Sequence, residues 1–314
     1  MKAKFMRWML LASVVLVLIV VSSSAYIRLS QAGLGCKDWP GCYGQVVPQP
    51  IAAAAAADPA LFMVRGLHRI SASLVAVFLV LIVLLGWDAL KGRAARVAAL
   101  TVLGLAGFLA ALGFFTPSAL PAVLLGNLLG GMSMSALLWY LYQGGANGSA
   151  ITGSAAVGRK LAWMGILLIM LQISLGGLIG AHRAGLVCTT LPGCQGHWWA
   201  EADWRLFNPF VASSVAALTA GGQQAIAMAH RYGALLVMVV VGCMGFIAIR
   251  RGGSAAVRGW TVLALLTVQL SLGVGAVLEQ LPLPVVLLHN MGAALLLAAT
   301  AALFINGETA GETT

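Results

Sequence analysis

The sequence predicts an all-α integral membrane protein: eight transmembrane helices forming two tandem four-helix bundles related by pseudo-two-fold duplication. Composition, the spacing of apolar runs and an internal repeat each point to it. Of the 314 residues, 61% are hydrophobic and 8% charged, against roughly a quarter charged in soluble domains, and the mean hydropathy is +0.98. Runs of about twenty apolar residues, enough to cross a hydrocarbon core of roughly 30 Å, begin near Met9, Val64, Val97, Leu120, Leu161, Ala225, Thr261 and Leu283. No charged face follows any of them, which argues against a soluble helical core.

The first run follows Lys2, Lys4 and Arg7 and leads into "SSSAY", a pattern shared with secretory signal peptides. Its length, and its counterpart in the second half of the chain, favour an uncleaved helix. The net charge of +10 does not point to nucleic acid, because the cations gather at alternate connections: Lys2, Lys4 and Arg7; Lys91, Arg93 and Arg96; Arg159 and Lys160; Arg250, Arg251 and Arg258. That distribution places both termini in the cytoplasm. The cysteine loops then fall on the extracytoplasmic side of a bacterial inner membrane, where thiols are oxidised.

Four of the five cysteines occupy two copies of one pattern, "GLGCKDWPGC" at 33–42 and "GLVCTTLPGC" at 185–194, with both pairs offset by 152 residues. Further anchors recur in order: "LHRISA" at 67–72 with "AHRYGA" at 229–234, and "LPAVLLGNLLGG" from 120 with "LPVVLLHNMGAA" from 283. The Gly/Ser-rich segment 144–158 reads as a cytoplasmic linker between an N-terminal half, 1–143, and a C-terminal half, 159–314. Each half starts inside and crosses an even number of times, so the repeats are parallel. Parallel repeats also occur in transporters, but no helix here carries a broken, polar midplane segment.

Cys36 and Cys42 enclose a Pro-Gly turn, as do Cys188 and Cys194, and such a turn brings the thiols together. A disulfide in each loop would stabilise it by only roughly 2–3 kcal/mol, shaping a cap more than holding a bundle. An exchangeable redox pair is the alternative. Cys243 reads as a packing residue. Three of the five histidines, His68, His230 and His289, lie inside apolar helices, where an ionisable residue is a functional candidate. Each enters from the outer side at similar depth, His68 and His230 about one turn in, so imidazoles from neighbouring helices can reach one metal. With no further ligand motif on the helices, a haem iron with two axial histidines fits His230 and His289 best. Arg69 and Arg231, adjoining His68 and His230, are candidate partners for haem carboxylates. His182 and His197 read as solvated loop residues near a tryptophan-rich interfacial segment.

These residues resemble those of the haem A synthase family. The most specific pieces are "RLSQAGLGCKDWPGCYGQ" at 28–45, "HR" at 68 and 230, and "LLHNMGAA" at 287–294. The resemblance implies a b-type haem between His230 and His289 in the C-terminal half. It also implies a substrate pocket at His68 in the N-terminal half, where one ring methyl of haem O is oxidised to a formyl group, yielding haem A for terminal oxidases. Two positions depart from the family pattern. Gly126, followed by Asn127, stands where a fourth-helix histidine is usual, and Arg65 stands where a glutamate is common. Arginine cannot act as a base, so Arg65 joins His68 as a candidate catalytic residue by binding a haem O carboxylate, and Asn127 is a candidate cofactor-binding residue. The implied partners are haem O, haem O synthase, oxidase assembly factors, lipid and a second copy of the chain. A non-catalytic haem b protein serving oxidase assembly is the alternative reading.

Overall fold

The computed structural model describes residues 2–34, 39–42, 58–115, 120–144, 157–198, 203–211 and 219–305. Eight long helices account for most of them: α1 (Lys2–Gln31), α2 (Pro59–Gly86), α3 (Arg93–Gly113), α4 (Pro121–Tyr142), α5 (Arg159–Ala181), α6 (Ala220–Arg250), α7 (Gly253–Leu278) and α8 (Leu283–Ala302). All eight are long and apolar enough to span a membrane, and no strand occurs among the described residues. Most begin a turn or two ahead of the apolar run read from the sequence, as α2 does through 59–63 and α6 through 220–224. His68 and His230 consequently stand nine and ten residues into α2 and α6, deeper than the single turn expected, while His289 stands six residues into α8.

Local chemistry sets the helix ends. Asp58 accepts from the backbone N–H groups of Ala60 and Leu61, with Pro59 in the first turn of α2, satisfying donors that have no intrahelical partner. Thr219 caps α6 through the Gly222 N–H. The short α2–α3 and α6–α7 connections turn through Gly92 (φ 86°) and Gly252 (φ 75°), a region that residues with a Cβ avoid. Cations at these ends are engaged: Arg96 lies over the Trp87 ring and donates to the Leu90 carbonyl, Arg7 lies over Tyr142, and Arg258 donates to the Ile305 carbonyl.

Within each half the helices pack in a ring, α1–α2–α3–α4 back to α1, and α5–α6–α7–α8 back to α5. The halves meet chiefly along α4 and α8, with α1 against α8 and α4 against α5 at the flanks. One core runs through both halves, including Leu10, Ile82, Leu138, Ile169, Met244 and Leu297. Outward faces remain apolar, as on α2 at Phe62, Ile70 and Leu84, which suits lipid rather than water. Cys243 belongs to such an outward face and is exposed, so the expectation of a packing residue is corrected. Most of the linker lies outside the described residues.

Small residues let α6 and α7 cross closely, as membrane helices require. A Cβ on Gly259 would stand 2.5 Å from the Gly245 carbonyl oxygen and 2.9 Å from the Ile249 nitrogen, both backbone atoms that cannot rotate away. Gly259→Ala is therefore expected to destabilise the protein by about 1–3 kcal/mol, read as a lower thermal midpoint in detergent. Gly104→Ala, which meets nothing within 4 Å, should leave the midpoint unchanged or raise it.

Candidate functional site: a histidine pair beneath a disulfide loop

His230 of α6 and His289 of α8 face each other across the C-terminal ring of helices. Their ring centroids are 6.4 Å apart with an interplanar angle of 72°. A metal bound to one nitrogen of each imidazole at about 2.0–2.1 Å requires nearly this separation. Among the described residues no group of three or more His, Cys, Asp or Glu could hold a metal ion. Two imidazoles alone suit an iron whose remaining ligands come with its own macrocycle. The buried Nδ1 of His289 has no hydrogen-bond partner, as expected of a donor set completed by a ligand. The residues therefore fit a haem.

Glycines make room for the rings. A Cβ on Gly176 of α5 would lie 3.1 Å from His230 Cε1, and one on Gly273 of α7 would lie 3.1 Å from His289 Cε1. Beside them Gln172 Nε2 stands 3.0 Å from His230 Nδ1 and donates to the His230 carbonyl oxygen at 2.8 Å, while Gln269 Nε2 stands 3.3 Å from His289 Nε2. Neither glutamine was singled out from the sequence. The signal was there, as "QISLG" at 172–176 and "QLSLG" at 269–273.

Arg231 reaches the α5–α6 loop. Its Nη1 donates to the carbonyls of Thr190, Pro192 and Gly193 at 2.7, 3.2 and 2.6 Å, and its Nη2 to that of Cys188 at 2.6 Å. Cys188 and Cys194 are joined by a disulfide, so the residue next to His230 clasps the disulfide loop. Tyr232 adds a hydrogen bond from its hydroxyl to the Trp198 carbonyl. In the first half Cys42 is disulfide-bonded, and Cys36 lies outside the described residues. The bonds Trp39–Pro40 and Leu191–Pro192 are both cis.

In the N-terminal half, His68 Nδ1 lies 3.1 Å from the Ser23 hydroxyl and 3.3 Å from the Val20 carbonyl oxygen, both on α1. Arg65 is half-buried one turn earlier on α2, and Arg69 is exposed. Asn127 donates to the Val123 carbonyl of its own helix at 3.0 Å. The space beside Gly126 is taken by Leu112 and Phe108. The two halves also touch through a bond the sequence did not suggest: Arg28 of α1 donates to Asn290, the neighbour of His289, at 3.1 Å.

His182 corrects an expectation. It is fully buried, not solvated, whereas His197 is exposed. Its ring is hydrogen-bonded to the Leu206 backbone and its carbonyl accepts from Gln223 at 2.8 Å, pinning the end of α5 to the loop and to α6. Burial lowers its pKa from the ordinary value, the Leu206 bond opposing. Nearby, Asp203 bonds Arg205 and Thr219, and the Arg205 hydrogen bond chiefly holds its carboxyl at about 2. Both groups bind protons less readily when folded, so loop stability should fall on acidification. The loss should begin below about pH 6.5 as an unfolded histidine would charge, then continue below about pH 4 towards 2 as Asp203 titrates. Hydrogen exchange of 182–211 against pH measures this; His182→Gln should remove the upper step alone.

The fold and site define a polytopic helical membrane protein with a paired-histidine centre under a disulfide-bonded loop. The family model for COX15-CtaA, described as cytochrome oxidase assembly protein, matches residues 7–301. This chain belongs to that family. It is 34% identical over 317 residues, 93% of each chain, to a protein of Shewanella oneidensis named heme A synthase. A Methylorubrum populi protein of the same name is 32% identical over 53% of this chain and 43% of its own length, and one from Mesorhizobium japonicum 31% over 54% and 47%. The relatives are bacterial, and eight spanning helices make this a multi-pass inner-membrane protein.

Proposed function

We propose that the chain is a membrane haem A synthase, an oxidoreductase that converts haem O to haem A by oxidising a ring methyl to a formyl group for cytochrome oxidase biogenesis. The observation that carries this reading is the 6.4 Å separation of the His230 and His289 rings in a chain related over nearly its full length to a protein named for that synthesis. His230 and His289 would hold a resident haem b between them. When bound, that group accepts and passes on single electrons.

His68 is the ligand to the substrate haem O. Its Nδ1 is occupied by Val20 and Ser23, which leaves Nε2 to face the substrate iron. Phe108 and Leu112 beside Gly126 supply no second ligand, which suits a substrate that must enter and leave. Arg65 and Arg69 offer cations to its carboxylates, and Asn127 borders the pocket. The repeated cysteine loops, the matching helix order and the alternating basic connections support a duplicated pair of four-helix halves. They also support both termini on the cytoplasmic side and the loops outside.

Expressing the chain in cells that make haem O but lack their own synthase tests the reaction. Haem A should appear among the extracted haems. Haem-loaded protein without haem A would contradict the enzyme reading.

A further inference from the structure

The C-terminal half contains one structural module twice. On the first helix of each pair stands Gln-x-Ser-Leu-Gly, at 172–176 in α5 and 269–273 in α7; on the next stands His-x-x-Gly, at 230–233 in α6 and 289–292 in α8. In both copies the glycine of the first motif lies against the imidazole Cε1. In both, the glycine of the second lies so close to the glutamine Oε1 that a Cβ there would collide with it, at Gly233 with Gln172 and at Gly292 with Gln269. Each amide is thus wedged between a glycine and an imidazole. In the N-terminal half, 1–143, neither motif occurs. The module is confined to the half that has two histidines.

Both amide oxygens, Gln172 Oε1 and Gln269 Oε1, are buried with no hydrogen-bond partner. Burying such an orphan is costly, and two in related positions call for a physical reason. A half-turn of the Gln269 amide would bring Oε1 to where Nε2 stands, 3.3 Å from a ring nitrogen of His289; the Gln172 amide is held the other way, its Nε2 donating to the His230 carbonyl oxygen at 2.8 Å while lying 3.0 Å from His230 Nδ1. A histidine that ligates a metal through one nitrogen needs an acceptor for the proton on the other, and that acceptor fixes ring orientation and raises ligand basicity.

We propose that Gln172 and Gln269 are the positioning residues of the histidine pair, Gln172 by tying its amide N–H to the His230 carbonyl against the ring and Gln269 by turning its amide oxygen to accept the ring N–H of His289. The inference rests on the reading of His230 and His289 as haem ligands.

The test uses the full chain purified in detergent, with haem affinity, the low-spin electron paramagnetic resonance signal and the haem midpoint potential as readouts. Gln172→Leu and Gln269→Leu should each weaken haem binding about 10–100-fold and shift the low-spin g-values. Gln269→Glu, nearly isosteric, should keep the haem and lower its midpoint potential, because a carboxylate makes the imidazole more basic; Gln172→Glu, which has no N–H for the His230 carbonyl, should weaken haem binding as Gln172→Leu does. The Glu variants keep the test decisive if the Leu variants fold poorly. Leu and Glu variants that hold haem with wild-type affinity, g-values and potential would overturn the inference while leaving the ligand reading intact. A low-spin signal that survives His230→Ala or His289→Ala would overturn both.

Discussion

Purified His230→Ala and His289→Ala proteins are expected to lose the low-spin haem spectrum entirely, with haem affinity reduced at least about 100-fold. The magnitude follows from comparison with outer partners: removing a residue that only orients a ligand costs about 10–100-fold, and removing a ligand must exceed that. The two losses should be alike, because the rings lie in equivalent settings, each against a glycine and each beside a glutamine amide. His68→Ala should behave differently. Its ring is held by α1 in the other half, so the resident haem should stay low-spin while haem A formation is lost. Visible spectra and pyridine haemochrome quantification of the three variants separate the two pockets.

Arg231→Ala should have the second-largest effect, and it should fall on the disulfide-bonded loop. Four carbonyl oxygens spread over residues 188–193 accept from this one guanidinium. A hydrogen bond from a charged donor contributes about 1.5–3 kcal/mol. The four are not additive, and water can reach part of the loop, so a local loss of about 3 kcal/mol is expected. Lysine should not rescue it, since a single ammonium lacks the planar fork that reaches separate carbonyls. Faster hydrogen exchange across 187–198 in Arg231→Ala and Arg231→Lys checks this. Exchange unchanged from wild type would mean the disulfide alone holds the loop.

The eight spanning helices were legible because apolar runs are statements about transfer between water and lipid, and those depend on composition more than on partners. The histidines were legible for the same reason: an imidazole in an apolar run stands out. Depth along a helix follows from counting residues, yet His68 and His230 lay deeper than expected, since capping residues such as Asp58 and Thr219 lengthened the helices outward. What a side chain touches across the bundle was not legible. Arg231 read as a cation for a carboxylate, and its guanidinium lies on loop carbonyls whose positions depend on the fold of 188–194. Gln172 and Gln269 were overlooked because glutamine in a helix is unremarkable until glycines on the facing helix let the amide reach an imidazole. His182 read as solvated because nothing in the sequence says that residues 204–207 fold back over it. The Arg28–Asn290 bond depends on how the halves meet, which no repeat within one half encodes.

Pulsed electron paramagnetic resonance on the oxidised protein carrying nitrogen-15 histidine tests most directly whether His230 and His289 share one iron. A low-spin ferric centre coupled to two imidazole nitrogens, reduced to one or none in either alanine variant, is the expected result. A high-spin centre with a single imidazole, or two couplings that persist in both variants, would contradict it.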